Sequence, residues 1–237
     1  MEDLLKQLEK SFIEISELIR ESDPSKLEDY IEKYNISGDD VKHADILANA
    51  ILRDNLSRCS VVRKIASEEE TELIVTSHKD GQYLVSYDPL DGSTNIGVNI
   101  TTGTIFGVYK YDEDDNIKSG RNIVLAGYCL YGAATQLIIA YADKVTMYQL
   151  KYTGEKNIIR EFVKIKDNIK IPKKGMIYSI NESNRNKWID DRYDKIIKWM
   201  LEKDYTTRWV GALVADAHRT LFKLSLIHIS EPTRLHC

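Results

Sequence analysis

Two groups of acidic side chains in this sequence have the type and spacing to do chemistry together. Asp88 and Asp91 lie three apart in Asp88-Pro89-Leu90-Asp91-Gly92-Ser93-Thr94-Asn95, directly after the apolar run Tyr83-Leu84-Val85-Ser86-Tyr87. Carboxylates placed so across Pro-Leu, with the Leu90 carbonyl between them, can converge as oxygen ligands on one hard divalent cation such as Mg²⁺. Gly92-Ser93-Thr94 then offers a permissive backbone, amide donors and two hydroxyls to a phosphate. A bare Asp-x-x-Asp-Gly reads more readily as a surface turn, since Asp, Pro and Gly are turn residues. The second group, Ser67-Glu68-Glu69-Glu70, reads by itself as a solvated run capped by Ser67. Their pairing shifts the balance towards a site. Each follows a predicted strand, and carboxylates gathered together repel unless a cation neutralises them.

Periodicity predicts the elements that position these acids. Leu4, Leu5, Leu8, Phe12, Ile15, Leu18 and Ile19 form the stripe of a first helix, stopped at Ser22-Asp23-Pro24. Ser25 caps a predicted second helix carrying Leu27, Tyr30 and Ile31. After Gly38-Asp39-Asp40, residues 41–56 read as a third, with Ile46, Leu47, Ala50 and Ile51 facing inward. A strand over 60–66 leads to the glutamates. Residues 73–75 and 83–87 read as a hairpin about Lys79-Asp80-Gly81. Strands are expected over 103–109, 137–141 and 145–150, and a small-residue helix over 123–131. A second segment opens near Pro172, with a strand over 176–180 and a helix over 189–202. Strands and helices mixed without regular alternation predict an α/β protein of the layered α+β sandwich kind.

Composition narrows the function class. Hydrophobic residues at 43% and charged residues at 30% are ordinary for a globular chain of 237 residues. A formal charge of −4 argues against a nucleic-acid partner. No secretory signal and no membrane-length apolar run is present, so the expected location is cytoplasmic, with no membrane partner. Cys59, Cys129 and Cys237 have neither metal-type spacing nor a disulfide framework, and Cys59 and Cys129 are expected as free buried thiols.

The run 88–95, continued by Gly103-Thr104-Ile105-Phe106-Gly107-Val108-Tyr109, resembles class I fructose-1,6-bisphosphatase; its first part is shared with inositol monophosphatases. Further motifs follow the family's order and spacing: Ser67-Glu68-Glu69, Gly120-Arg121-Asn122, Ala126-Gly127-Tyr128 and Leu130-Tyr131-Gly132. Later in the chain come Tyr178-Ser179-Ile180-Asn181-Glu182 and Val210-Gly211-Ala212-Leu213-Val214-Ala215-Asp216-Ala217-His218-Arg219-Thr220-Leu221. The resemblance covers the chain from about Leu4 to Phe222. It implies the fructose-bisphosphatase/inositol-monophosphatase-like fold. It also implies Mg²⁺-dependent removal of the 1-phosphate of fructose 1,6-bisphosphate in gluconeogenesis, with Mn²⁺ or Zn²⁺ as alternative cations, by a homo-oligomer that is a tetramer in the family.

The same resemblance implies residue roles. Glu68, Glu69, Asp88, Asp91 and the Leu90 carbonyl would hold cations, with Asp39 peripheral. Asp45 and Glu69 would take a proton from the attacking water. Asp91, Gly92, Ser93 and Thr94 would bind the departing phosphate. Asn181 would grip the remote phosphate together with Arg208, the latter reaching in from a neighbouring subunit. His218, in an apolar helical pattern without an assigned carboxylate, is expected to be structural.

Three departures qualify the resemblance. Asn184 and Trp209 stand where the family usually has tyrosine, which leaves substrate choice open. The effector segment of the animal enzymes has no match ahead of the first helix, and the loop 111–120 has no cysteine. From Leu224 the chain reads as a translated sequencing adapter, so the expected organisation is a metal- and phosphate-binding domain over 1–170, a partial sugar-phosphate domain over 171–223 and a foreign tail over 224–237. On that reading this chain is itself inactive. The alternatives are a related sugar or inositol phosphatase and a non-catalytic, oligomer-forming paralogue.

Overall fold

The computed structural model describes residues 1–23, 30–34, 40–111, 120–154, 159–187 and 192–227. For 30–34, 40–42, 121, 184, 186–187 and 225–227 the description is of the backbone alone. The chain forms two compact units, residues 1–169 and 170–237.

The first unit begins with α1, Glu2–Glu21, which buries Leu4, Leu8, Phe12 and Ile15 on one stripe. Acids in its first turn and Arg20 in its last suit the helix dipole. Ser22 ends it in an extended conformation, ahead of Asp23, the residue that the following proline disfavours in a helix. Strands β1, Tyr30–Tyr34, and β2, Asp40–Lys42, then pair antiparallel. The predicted second helix is therefore corrected at Tyr30 and Ile31, which lie in β1, while residues 24–29 and Asp39 lie outside the described residues.

Helix α2, His43–Ser57, departs from its predicted face in an informative way. The buried residues are Ala44, Asp45, Ala48, Asn49, Leu52, Asn55 and Leu56. The larger apolar residues Ile46, Leu47 and Ile51 are only partly buried. The helix thus turns small and polar side chains inward alongside the fully buried Leu52 and Leu56.

Eight strands form one sheet in the order β10-β9-β8-β7-β6-β5-β3-β4. They are β3 Val62–Ser67, β4 Ile74–Val75, β5 Tyr83–Asp91, β6 Thr102–Lys110, β7 Ile123–Tyr131, β8 Thr135–Tyr141, β9 Lys144–Thr153 and β10 Ile159–Lys166. From β5 to β10 the sheet is an antiparallel meander, and only the β3–β5 pair within it is parallel. The inward side chains Val62, Val85, Phe106, Leu125, Leu137 and their neighbours share one core with α1 and α2. Each fully buried aliphatic or phenyl group there contributes about 1.5–3 kcal/mol.

Two further expectations are corrected. The hairpin over 73–87 does not form, because β3 lies between β4 and β5 and pairs with both. Gly81 instead passes so close to β3 that a Cβ would lie 2.6 Å from the Arg63 nitrogen. Residues 123–131 are strand β7, not a helix. Leu125, Cys129 and Tyr131 are buried at a spacing of two or a multiple of it, the period of a strand. The small Gly127 leaves room for the Phe106 ring, which packs on Phe12 with centroids 5.3 Å apart. The edge strand β10 was not foreseen.

In the second unit, β11, Ile177–Ser179, pairs in parallel with β12, Thr206–Thr207, and with β13, Ser225–Ile227. Helices α3, Arg192–Glu202, and α4, Leu213–Lys223, accompany this small sheet. Tyr178, Ile197 and Met200 form its core. Among the described residues no helix is long and apolar enough to cross a membrane.

A methyl at residue 127 would meet the Ile138 carbonyl at 2.3 Å and the Phe106 ring at 2.6 Å. Gly127→Ala is expected to lose about 1–3 kcal/mol through overpacking, read as a lower urea midpoint at unchanged slope.

Candidate active site

The parallel pairing of β3 and β5 sends both strands towards the same end of the sheet, with Ser67 opposite Tyr87. The Glu68 amide extends the pairing by donating to the Tyr87 carbonyl at 3.1 Å. Glu68, the first residue past β3, therefore lies beside Asp88, which is still within β5.

Asp91 joins them through an irregularity in β5. Asp88 is opposite Ile105 and Asp91 opposite Gly103, so three steps on β5 match two on β6. This is a β-bulge between Asp88 and Asp91, a span that includes Pro89, which has no amide hydrogen for the ladder. In a regular strand, residues three apart point to opposite faces. The extra residue restores parity and lets the two aspartates serve one side. They are thus held within the strand rather than beyond its end.

Two sets of hydrogen bonds fix the bulge. The Leu90 amide donates to Asp88 Oδ1 at 3.0 Å. Thr104 Oγ1 donates to the Pro89 carbonyl at 2.8 Å and lies 2.8 Å from the Tyr131 hydroxyl. Because threonine has a single hydroxyl proton, Tyr131 must donate to Thr104. Sequence reasoning used Thr104 and Tyr131 only as motif letters and missed this buried relay.

The acids feel one another. Burial, then the charges of Glu68 and Asp91, raise Asp88 well above the usual carboxylate range, and Glu68 also hydrogen-bonds to it. Ser67, Glu68, Ser86 and Asp88 line a cleft of about 310 Å³ that opens beside β6. Glu69 and Asp45 are each 6% exposed, Asp45 on the inward stripe of α2. Among the described residues no three carboxylate, imidazole or thiol groups close into a metal cage by themselves. The donor set nevertheless suits a hard divalent cation: it consists of carboxylate oxygens under mutual repulsion plus the Leu90 carbonyl. Bound positive charge reverses the repulsion that raises Asp88.

Beyond Asp91, Gly92 takes the left-handed conformation at φ 77° and starts a short 3-10 helix, Ser93–Val98. The Asn95 amide closes this turn on the Gly92 carbonyl at 2.8 Å, and Asn95 Nδ2 donates to the Thr101 carbonyl at 3.3 Å. Ser93 is half-buried and Thr94 exposed.

Asn181 and Arg208 belong to the second unit. They follow β11 and β12, which run in parallel, and so lie past the same end of neighbouring strands. The Arg208 amide donates to the Tyr178 carbonyl at 2.9 Å, and its side chain is exposed. Trp209 is 54% exposed, while the Asn184 side chain lies outside the described residues. His218 sits in α4, where burial lowers its pKa and its ring lies 4.8 Å from Phe222. Cys59 and Cys129 are free and buried; burial pushes the Cys59 thiol up to about 11.

Comparison with known proteins places the chain in a family. The family model "Fructose-1-6-bisphosphatase, N-terminal domain" matches residues 1–161, and its C-terminal counterpart matches residues 171–233. The chain belongs to the fructose-1,6-bisphosphatase family. The class 1 enzyme of Sulfurihydrogenibium sp. (strain YO3AOP1) is 40% identical over 195 residues, 81% of this chain and 59% of that protein. Fructose-1,6-bisphosphatase 1 of Bos taurus is 37% identical over 235 residues, 93% of this chain and 67% of that protein. The holo-form crystal structure of Leishmania major fructose-1,6-bisphosphatase superposes with a TM-score of 0.81 at 32% identity, covering 92% of this chain and 70% of that one. This chain thus spans about three fifths of the length of the first of these relatives.

The bulge in this fructose-1,6-bisphosphatase family member rests on the threonine hydroxyl. Thr104→Val strands the Pro89 carbonyl, leaves the Tyr131 hydroxyl with Cys129 as partner, and is expected to cost about 1–3 kcal/mol. Tyr131→Phe removes only the outer donor and should cost less. Denaturant titration of the two variants checks the order.

Proposed function

We propose that this protein hydrolyses the 1-phosphate of fructose 1,6-bisphosphate, giving fructose 6-phosphate and phosphate, with Mg²⁺ as its cation and Mn²⁺ or Zn²⁺ as substitutes. The observation that carries the reading is the meeting of Glu68, Asp88 and Asp91 at one end of the sheet, in a chain of this family. Glu68, Glu69, Asp88, Asp91 and the Leu90 carbonyl hold the cation. When bound, it lowers the pKa of water and neutralises charge on the phosphoryl oxygens.

The protein's own groups do the rest. Asp45 and Glu69, both buried, accept the proton of the attacking water as general bases. Asp91 and the segment Gly92-Ser93-Thr94 bind the departing phosphate and set it in line with that water. Phosphoryl transfer asks chiefly for such positioning and charge stabilisation, so no serine or cysteine nucleophile is needed. Asn181 holds the remote phosphate, and the exposed Arg208 joins it from a neighbouring subunit of a homotetramer. A sugar bisphosphate of gluconeogenesis is then the substrate, and the cytoplasm the place of work.

The test uses the full-length natural protein. Phosphate release from fructose 1,6-bisphosphate should require added divalent cation and stop with chelator. Glu69→Gln should lower kcat by about 10²–10⁴-fold. Faster turnover of sedoheptulose bisphosphate or inositol monophosphate would reassign the substrate. No turnover on the whole panel would make the protein a non-catalytic, oligomer-forming paralogue.

A further inference from the structure

The three consecutive glutamates after β3 do not share one environment. Glu70 is held by α2: Asn49 Nδ2 donates to Glu70 Oε1 at 2.9 Å, and Arg53 Nη1 lies 3.7 Å from the same oxygen. Asn49 is one turn beyond Asp45 and one turn before Arg53, so the three occupy one face of the helix.

Asn49 also ties the two strands together. Its Oδ1 accepts from the Ser67 hydroxyl at 2.8 Å and from the Tyr87 hydroxyl at 3.0 Å. The Ser67 oxygen in turn accepts the Glu69 amide at 3.2 Å, and the Glu70 amide donates to the Ser67 carbonyl at 3.3 Å. The amide has one orientation. A carboxylate only accepts, so nitrogen must face Glu70 and oxygen the two hydroxyls. Asn49 is 5% exposed, and loss of these partners would leave several buried polar groups at once.

We propose that Asn49 is a positioning residue for the cation site, with Glu70 as its anchor and not a cation ligand. The inference rests on the cation reading given above. Ser67 and Glu70 bracket Glu68 and Glu69, so pinning both ends of the turn fixes the backbone from which the two working carboxylates project. Tyr87, on β5 just before Asp88, adds the second strand to the same amide. One side chain thereby sets the spacing between the glutamate turn and the aspartate strand. Outer partners of this kind typically change metal affinity by about 10–100-fold.

The experiment is direct Mn²⁺ binding to the full-length protein, by calorimetry or by loss of the free-ion magnetic resonance signal, alongside kinetics. Asn49→Leu should weaken Mn²⁺ binding about 10-fold while KM for the sugar bisphosphate stays within about twofold. Glu70→Gln keeps an acceptor for Asn49 and should bind Mn²⁺ like the wild type, whereas Glu68→Gln should not. If Asn49→Leu does not fold, Glu70→Ala carries the same expected loss. Wild-type affinity in folded Asn49→Leu and in Glu70→Ala would overturn the proposal, as would a Glu70→Gln defect equal to that of Glu68→Gln. Failure of the wild type itself to bind Mn²⁺ would instead remove the cation reading, and this inference with it.

Discussion

Mutual repulsion among carboxylates is the constraint around which the first unit is arranged. Burial and the charges of Glu68 and Asp91 raise the cost of ionising Asp88, and a chain free to relax would separate these acids. Backbone geometry holds them together. Parallel pairing aims β3 and β5 at one end of the sheet, and the ladder continues as far as the Glu68 amide. The antiparallel meander on the far side of β5 keeps that strand from yielding.

The bulge between Asp88 and Asp91 resolves a conflict between strand geometry and chemistry. Two aspartates three residues apart cannot serve one face of a regular strand. The extra residue restores parity, and the break in the ladder is repaired by Thr104 and Tyr131. Gly92, in the left-handed region immediately afterwards, ends the strand and turns the chain into the segment assigned to the phosphate. Bulge and glycine together set where the carboxylates stop and the hydroxyls begin.

Helix α2 shows how sequence reasoning fails at a buried polar surface. Its larger apolar residues suggested an inward face of Ile46, Leu47, Ala50 and Ile51, yet Asp45, Asn49 and Asn55 are among the residues that lie buried. A hydrophobic pattern predicts burial by transfer energy alone. A polar stripe that is satisfied by partners distant in sequence, as Asn49 is by Ser67, Glu70 and Tyr87, gives no such signal. Strand β7 failed for a related reason: Ala126 and Gly127 look like helix packing, but the small residue is required by Phe106 on the neighbouring strand.

Local features were legible wherever their cause was local. The amphipathic stripe of α1, most strand segments of the meander and the run of acids and hydroxyls from Asp88 to Thr94 follow from neighbours within a few positions. The layered α+β class followed from the mixture of elements. Tertiary structure alone decided that β3 lies between β4 and β5 and that β5 bulges between Asp88 and Asp91. It likewise decided that Glu70 turns to the helix, leaving Glu68 beside Asp88. Each depends on which strand or helix becomes the partner, and pairing between distant segments is set by the packing of the whole unit rather than by the residues alongside.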